Sequence, residues 1–159
     1  MFFAPTVRLQ GLLLWSAALA GILLAGTFPA VAGGWELAVD GAGASRKFPL
    51  PGGTFELSWI HSVELTEWRE SYAVTRTGEI VLVASEFASG GAGLPDTVRN
   101  GETFRSEGGR MRIEGRNVRV RELKVRLSDV SHHVLWLGEQ RVDLNAAFGE
   151  GVVTIHAVP

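Results

Sequence analysis

The chain has 159 residues, enough for one ordinary domain and not two. Its 46% hydrophobic and 20% charged content is that of a folded protein, and a net charge of −2 argues against a nucleic-acid binder. The lack of cysteine excludes disulfides, thiol catalysis and cysteine-ligated metal centres.

In chain order, the first feature is Arg8 followed by the uncharged run "LQGLLLWSAALAGILLAGTF" and then "PAVA". Ala30 and Ala32 have the small-x-small spacing of a signal-peptidase site. Residues 1–32 therefore read as a signal peptide or an uncleaved membrane anchor. A helix of about twenty residues at ~1.5 Å rise spans ~30 Å, enough to cross a bilayer. Arg8 on the short side places the remainder outside, in the periplasm or on the periplasmic side of the inner membrane.

Residues 33–159 read as a single β domain, because the periodicity there is two rather than 3.6. "WELAV" (35–39) is a short strand and "GAGASRKFPLPGG" (41–53) a turn-rich connector. "TFELSWIH" (54–61) alternates, with Phe55, Leu57, Trp59 and His61 on one face. "WRESYAVTR" (68–76) puts Trp68, Glu70, Tyr72 and Val74 together, and "TG" turns the chain into "EIVLVASEF" (79–87). These three strands predict a meander.

Residues 88–109 predict a long connection, with a turn shaped by "SGGAGLP". Strands resume at 110–114, 117–128, 132–138, 140–144 and 152–158, and 144–151 allows at most one helical turn. Within 117–128 the apolar phase slips from Val118 and Val120 to Leu123, Val125 and Leu127, which predicts a β-bulge near Arg121–Glu122. The fold class is all-β: an antiparallel β-sandwich or partly open barrel of about eight or nine short strands.

The chemistry centres on "WIHSVELTEWRESY". His61 and Glu70 fall in the apolar phase of neighbouring strands, where a buried imidazole and carboxylate need partners. They are either a structural pair that pins register or a ligand or acid–base site. Ser62 cannot share His61's face, and no G-x-S-x-G elbow exists, so serine-hydrolase chemistry is disfavoured. Glu64, Glu67, Glu70 and Glu86 could gather around a cation, although no EF-hand spacing is present. His132 and His133 lack metal-ligand spacing and read as solvated or strand-end residues. "GGAGLPD" is no nucleotide loop, since Pro95 and Asp96 break G-x-G-x-x-G, but its backbone could form an anion nest. Arg110, Arg112, Arg116, Arg119, Arg121, Lys124 and Arg126 read as a solvated face, or as a surface for anionic headgroups or an acidic partner.

"WIHSVELTEWRESY", "FASGGAGLP" and "HHVLWLGEQRVDL…VVTIHAV" resemble a bacterial domain-of-unknown-function family, the one numbered eighteen-fifty, from about Trp35 onward. The family motif falls on His61, Ser62, Val63, Glu64, Glu70, Gly91, Ala92, Gly93, Leu94 and Pro95. The resemblance implies a small exported protein associated with TAXI-type TRAP solute transporters, whose membrane subunits or solute-binding protein would be its partners. It implies no established activity and no cofactor. A cysteine pair of some relatives is absent here. The combined expectation is a non-enzymatic accessory domain binding through His61, Ser62, Glu64, Glu70, Gly91, Gly93, Leu94 and Pro95. The alternatives are a small-ligand or metal-binding domain using His61, Glu64 and Glu70, or a hydrolase with a His/Glu acid–base pair.

Overall fold

The structure, a computed structural model, describes residues 34–88 and 98–159. The apolar N-terminal run and the Gly91–Pro95 turn lie outside the described residues. Among the described residues, eleven strands form two antiparallel sheets, joined by one short helix.

Strands β1 (Glu36–Gly41) and β2 (Ala44–Pro49) form a hairpin, and a 3-10 turn at Pro51–Gly53 leads into β3 (Thr54–Ile60). β3, β4 (Glu67–Val74) and β5 (Ile80–Phe87) make the expected meander. Its β4–β5 turn closes through a Gly78 N–H to Thr75 O bond of 3.0 Å, with Gly78 at φ 80°. β6 (Thr103–Glu107) and β7 (Arg110–Val120) extend the sheet, and β8 (Glu122–Leu127) leaves it. β9 (Val134–Leu137), β10 (Gln140–Asp143), α1 (Leu144–Phe148) and β11 (Gly151–Val158) complete the fold. The single helical turn starts where the Asp143 carboxylate accepts the Ala146 N–H at 2.9 Å.

The strand order is β10-β9-β3-β4-β5-β7-β6 in one sheet and β2-β1-β11-β8 in the other. Alternation supplies the core between them. Phe55, Leu57, Tyr72, Val74, Ile80, Leu135 and Leu137 from the seven-stranded sheet meet Leu37, Val39, Val125, Leu127, Val153 and Ile155 from the smaller one.

Three expectations need correction. The 41–53 connector contains β2, whose alternation was hidden by Ser45, Arg46 and Lys47 on an exposed edge. The 88–109 connection contains β6, exposed along its whole length and so without an apolar phase. The slip at Arg121–Glu122 is not a bulge. The chain there crosses from one sheet to the other, so Val120 packs on the core from the seven-stranded sheet and Leu123, Val125 and Leu127 pack on it from the smaller one. Real irregularities fall within the β4–β5 pair, between Ser71 and Tyr72, and within β5–β7, between Leu82 and Ala84.

Candidate functional site

The β3–β4 connection, residues 61–66, is a closed turn. The Leu65 N–H reaches His61 O at 2.8 Å, and the His61 N–H reaches Thr66 O at 2.9 Å. The Glu64 N–H donates to His61 Nδ1 at 3.3 Å, so that nitrogen carries no proton in this arrangement. The imidazole stacks on Trp68, ring centroids 4.7 Å apart. Leu65 adopts φ 53°, the left-handed region. Ser62 is exposed on the turn, away from any pairing with His61 as a nucleophile.

Below the turn lies a row of rings carried by three strands and by the residue just before β9. His133 stacks on Trp59 at 5.9 Å, Trp59 meets Trp68 at 6.0 Å, and Trp68 meets Phe87 at 5.1 Å. The register explains the row, because Trp59 pairs with Trp68 and Trp68 with Phe87. His133 is buried, and its Nδ1 lacks a hydrogen-bond partner among the described residues. Burial lowers its pKa. His133 does sit at a strand end, immediately before β9, but it is buried there rather than solvated. Its burial follows from a long-range placement beside Trp59 that local spacing does not carry.

One row further in, Glu70 faces the same interior as His61 but does not pair with it. The Trp59–Trp68 row stands between them. Glu70 Oε2 instead accepts a very short hydrogen bond from the Tyr72 hydroxyl, and Oε1 accepts from Ser85 Oγ at 3.4 Å. Ser85 in turn accepts from Arg116 Nη1 at 2.6 Å, and Arg116 Nε lies 3.5 Å from Glu102 Oε1. Burial first, and the Glu70 carboxylate second, raise the Tyr72 pKa far above its ordinary value. The phenol therefore stays a donor and cannot serve as a base.

This chain of contacts joins β4, β5 and β7 to the segment entering β6. It depends on Gly115 at φ 75°, where a Cβ would meet Gly101 O at 2.3 Å. The one local sign of it is the interruption "EGRN" inside β7.

Residues 55–144 match the family described as "Domain of unknown function (DUF1850)". The chain belongs to the DUF1850 family. No curated protein and no solved structure matches it. The DUF1850 segment contains the turn, the ring row and the Glu70 network. It excludes β1, β2 and β11, which supply three of the four strands of the smaller sheet.

The acidic residues of this DUF1850 domain do not collect around a cation. Glu67 and Glu86 sit in the opposite phase of their strands from Glu70 and face outward. There Glu67 and Glu56 hold Arg69 at 3.2 Å each, while Glu86 engages Arg110 and, at 3.1 Å, Arg112. Burial opposes ionisation of Glu86, but hydrogen bonds and charge from Arg110 and Arg112 outweigh it and lower its pKa. No group of three His, Asp or Glu among the described residues is placed to hold a metal ion. The basic stretch also divides. Arg110 and Arg112 join this cross-strand ladder, Arg116 turns inward, and Arg119, Arg121, Lys124 and Arg126 are exposed. Of the expected binding residues, the structure brings together His61, Ser62 and Glu64 at the turn. It sets Glu70 apart in its own network, and Gly91, Gly93, Leu94 and Pro95 lie outside the described residues.

Proposed function

We propose that this is an exported, non-catalytic recognition domain that serves a TAXI-type TRAP solute transporter. The observation that carries the recognition part is the use made of His61. Its Nδ1 is occupied by the Glu64 N–H and its ring by Trp68, so it shapes a turn rather than moves a proton. Glu70 is likewise engaged by Tyr72 and Ser85, so no His/Glu acid–base pair is assembled. What the turn presents is apolar: Val63 and Leu65 are each 69% exposed. The resemblance noted in the sequence supplies the transporter as partner, and the run before Pro29 supports export.

The test is capture of transporter subunits by the tagged full chain from solubilised membranes, with His61→Ala in parallel. Enrichment of those subunits by the wild type and a fall with His61→Ala is expected. Background-level recovery, together with unchanged solute uptake in a deletion strain, would reject the reading.

A further inference from the structure

We infer that β6 is the contact strand of a homodimer: two copies of this chain pair their β6 edges antiparallel about a two-fold axis at Ser106. The inference goes beyond the transporter reading and stands independently of it. β6 is the last strand of the seven-stranded sheet, pairs only with β7, and is exposed at all five residues. Its ladder with β7 has no bulge, and it carries neither proline nor lysine, the usual guards of an open edge. The other edges differ. β2 ends in Pro49 and carries Arg46 and Lys47, β8 carries Lys124 and Arg126, and β10 has only four residues.

The β6–β7 hairpin fixes which backbone groups are free. Gly108 and Gly109, at φ 59° and 78°, form a two-residue turn, so Glu107 and Arg110 are the hydrogen-bonded pair that closes it. Thr103, Arg105 and Glu107 therefore bond to β7, and the N–H and C=O groups of Phe104 and Ser106 point out of the sheet edge. Nothing among the described residues pairs with those groups. An antiparallel copy must register on them, which allows two-fold centres at Phe104, Arg105 or Ser106. A centre at Arg105 sets that cation against itself. A centre at Phe104 leaves Arg105 opposite Thr103 and Glu107 opposite Gly101. A centre at Ser106 puts Arg105 of each copy opposite Glu107 of the other, and Phe104 opposite Gly108.

The charge pattern favours that last register. On the outer face of the sheet, Glu56, Glu67, Glu86 and Glu114 each hold an arginine. Glu107 holds none among the described residues, because Arg110, its direct neighbour on β7, turns instead to Glu86 and Glu67. Arg105 is the complement: its side chain is 59% exposed, with Nε 3.7 Å from Glu114. Pairing about Ser106 continues the ladder of charges across the axis twice.

On the opposite face the same register covers Phe104, which is 46% exposed, and sets it over a glycine that has no side chain to clash. A surface that complements itself in backbone, charge and shape fits a second copy of the chain, joined by an isologous contact. One strand edge is small beside a standard interface of roughly 1,600 Å², so this dimer is reversible and forms at micromolar to millimolar protein.

The experiment uses the full chain in detergent, whose lack of cysteine makes any introduced thiol unique. Arg105→Cys and Glu107→Cys are purified separately, mixed and oxidised mildly with diamide. In the Ser106-centred pair, positions 105 and 107 are non-hydrogen-bonded partners about 4.5 Å apart at Cα, inside the disulfide range of roughly 4.4–6.8 Å. The mixed dimer keeps one Arg105–Glu107 contact, whereas either variant alone brings no two thiols together. A disulfide dimer that forms in the mixture, while each variant alone stays at the collision rate given by Thr103→Cys, is the expected result. Sedimentation velocity supplies a second reading: Glu107→Arg should weaken self-association about tenfold, and adding Arg105→Glu to it should restore the dimer. Disulfide yields as high in a single variant as in the mixture overturn the inference. So does a loss that the charge swap leaves unrestored, or a chain that stays monomeric at millimolar concentration.

Discussion

The imidazole of His61 lies against the indole of Trp68 at 4.7 Å and 20°, while its Nδ1 receives the Glu64 N–H. One side chain thus fixes both the base and the interior of a six-residue turn. His61→Phe keeps the stack and loses only the acceptor, at a cost of about 1 kcal/mol. His61→Ala also loses the ring contact, a further ~1 kcal/mol. Urea denaturation of the two variants reads the difference, and equal stabilities would remove the stack from the account.

Tyr72 and Glu70 form a second unit. Tyr72→Phe strips a buried hydrogen bond to a carboxylate and should destabilise by roughly 1.5–3 kcal/mol. Glu70→Gln in the Tyr72→Phe background should cost less than in the wild type. A double-mutant cycle with a coupling of at least ~0.5 kcal/mol checks this, and strict additivity would mean the contact carries no stability.

Gly115 separates backbone freedom from close approach. Gly115→Ala faces both a φ of 75° and a carbonyl oxygen at 2.3 Å, and should destabilise by about 3 kcal/mol. Gly43→Ala has a similar φ of 87° with open space, and should cost only about 1 kcal/mol. Thermal unfolding of the pair gives the ordering directly.

Two groups set two different pH windows. Burial lowers the His133 pKa, so the unfolded chain takes up the proton first. Stability is then full above about pH 6.5 and declines as pH falls through that value. Glu86, whose pKa is lowered by Arg110 and Arg112 against its burial, contributes stability above the ordinary carboxylate range that is lost below it. His133→Phe should flatten the Tm profile between about pH 6.5 and 5, and Glu86→Gln only the limb below about pH 4.5. A profile with His133→Phe identical to wild type would show that this histidine does not titrate on unfolding.

Much of the architecture was legible because the seven-stranded sheet is amphipathic where it meets the smaller sheet. Phe55, Leu57, Tyr72 and Val74 announced their face by alternation alone. β2 and β6 were not legible, since edge strands such as "ASRKFP" and "TFRSE" pack too little to need an apolar phase. The slip at Arg121 was visible, but one residue of phase change fits a bulge and a sheet switch equally well from sequence. At the site, alternation set His61 and Glu70 on one interior face. It could not tell that Trp59 and Trp68 would wall them apart, because that depends on the Trp59–Trp68 register. Arg116 looked like one more solvated cation until the Gly115 turn aimed it at Ser85.

The smaller sheet has the order β2-β1-β11-β8, so the first two strands and the last one are direct neighbours. Until Gly151–Val158 is available, β1 and β8 have nothing between them, and Leu37, Val39, Val125 and Leu127 have no completed lid. The sandwich therefore cannot close progressively as the chain emerges from a ribosome or a pore. It closes in one late event when its final strand slots in, and a chain stalled before that point is left with two sticky ribbon edges. Such a molecule is committed to fold slowly and all at once, and it is most vulnerable to aggregation and proteolysis in the moments before it is finished.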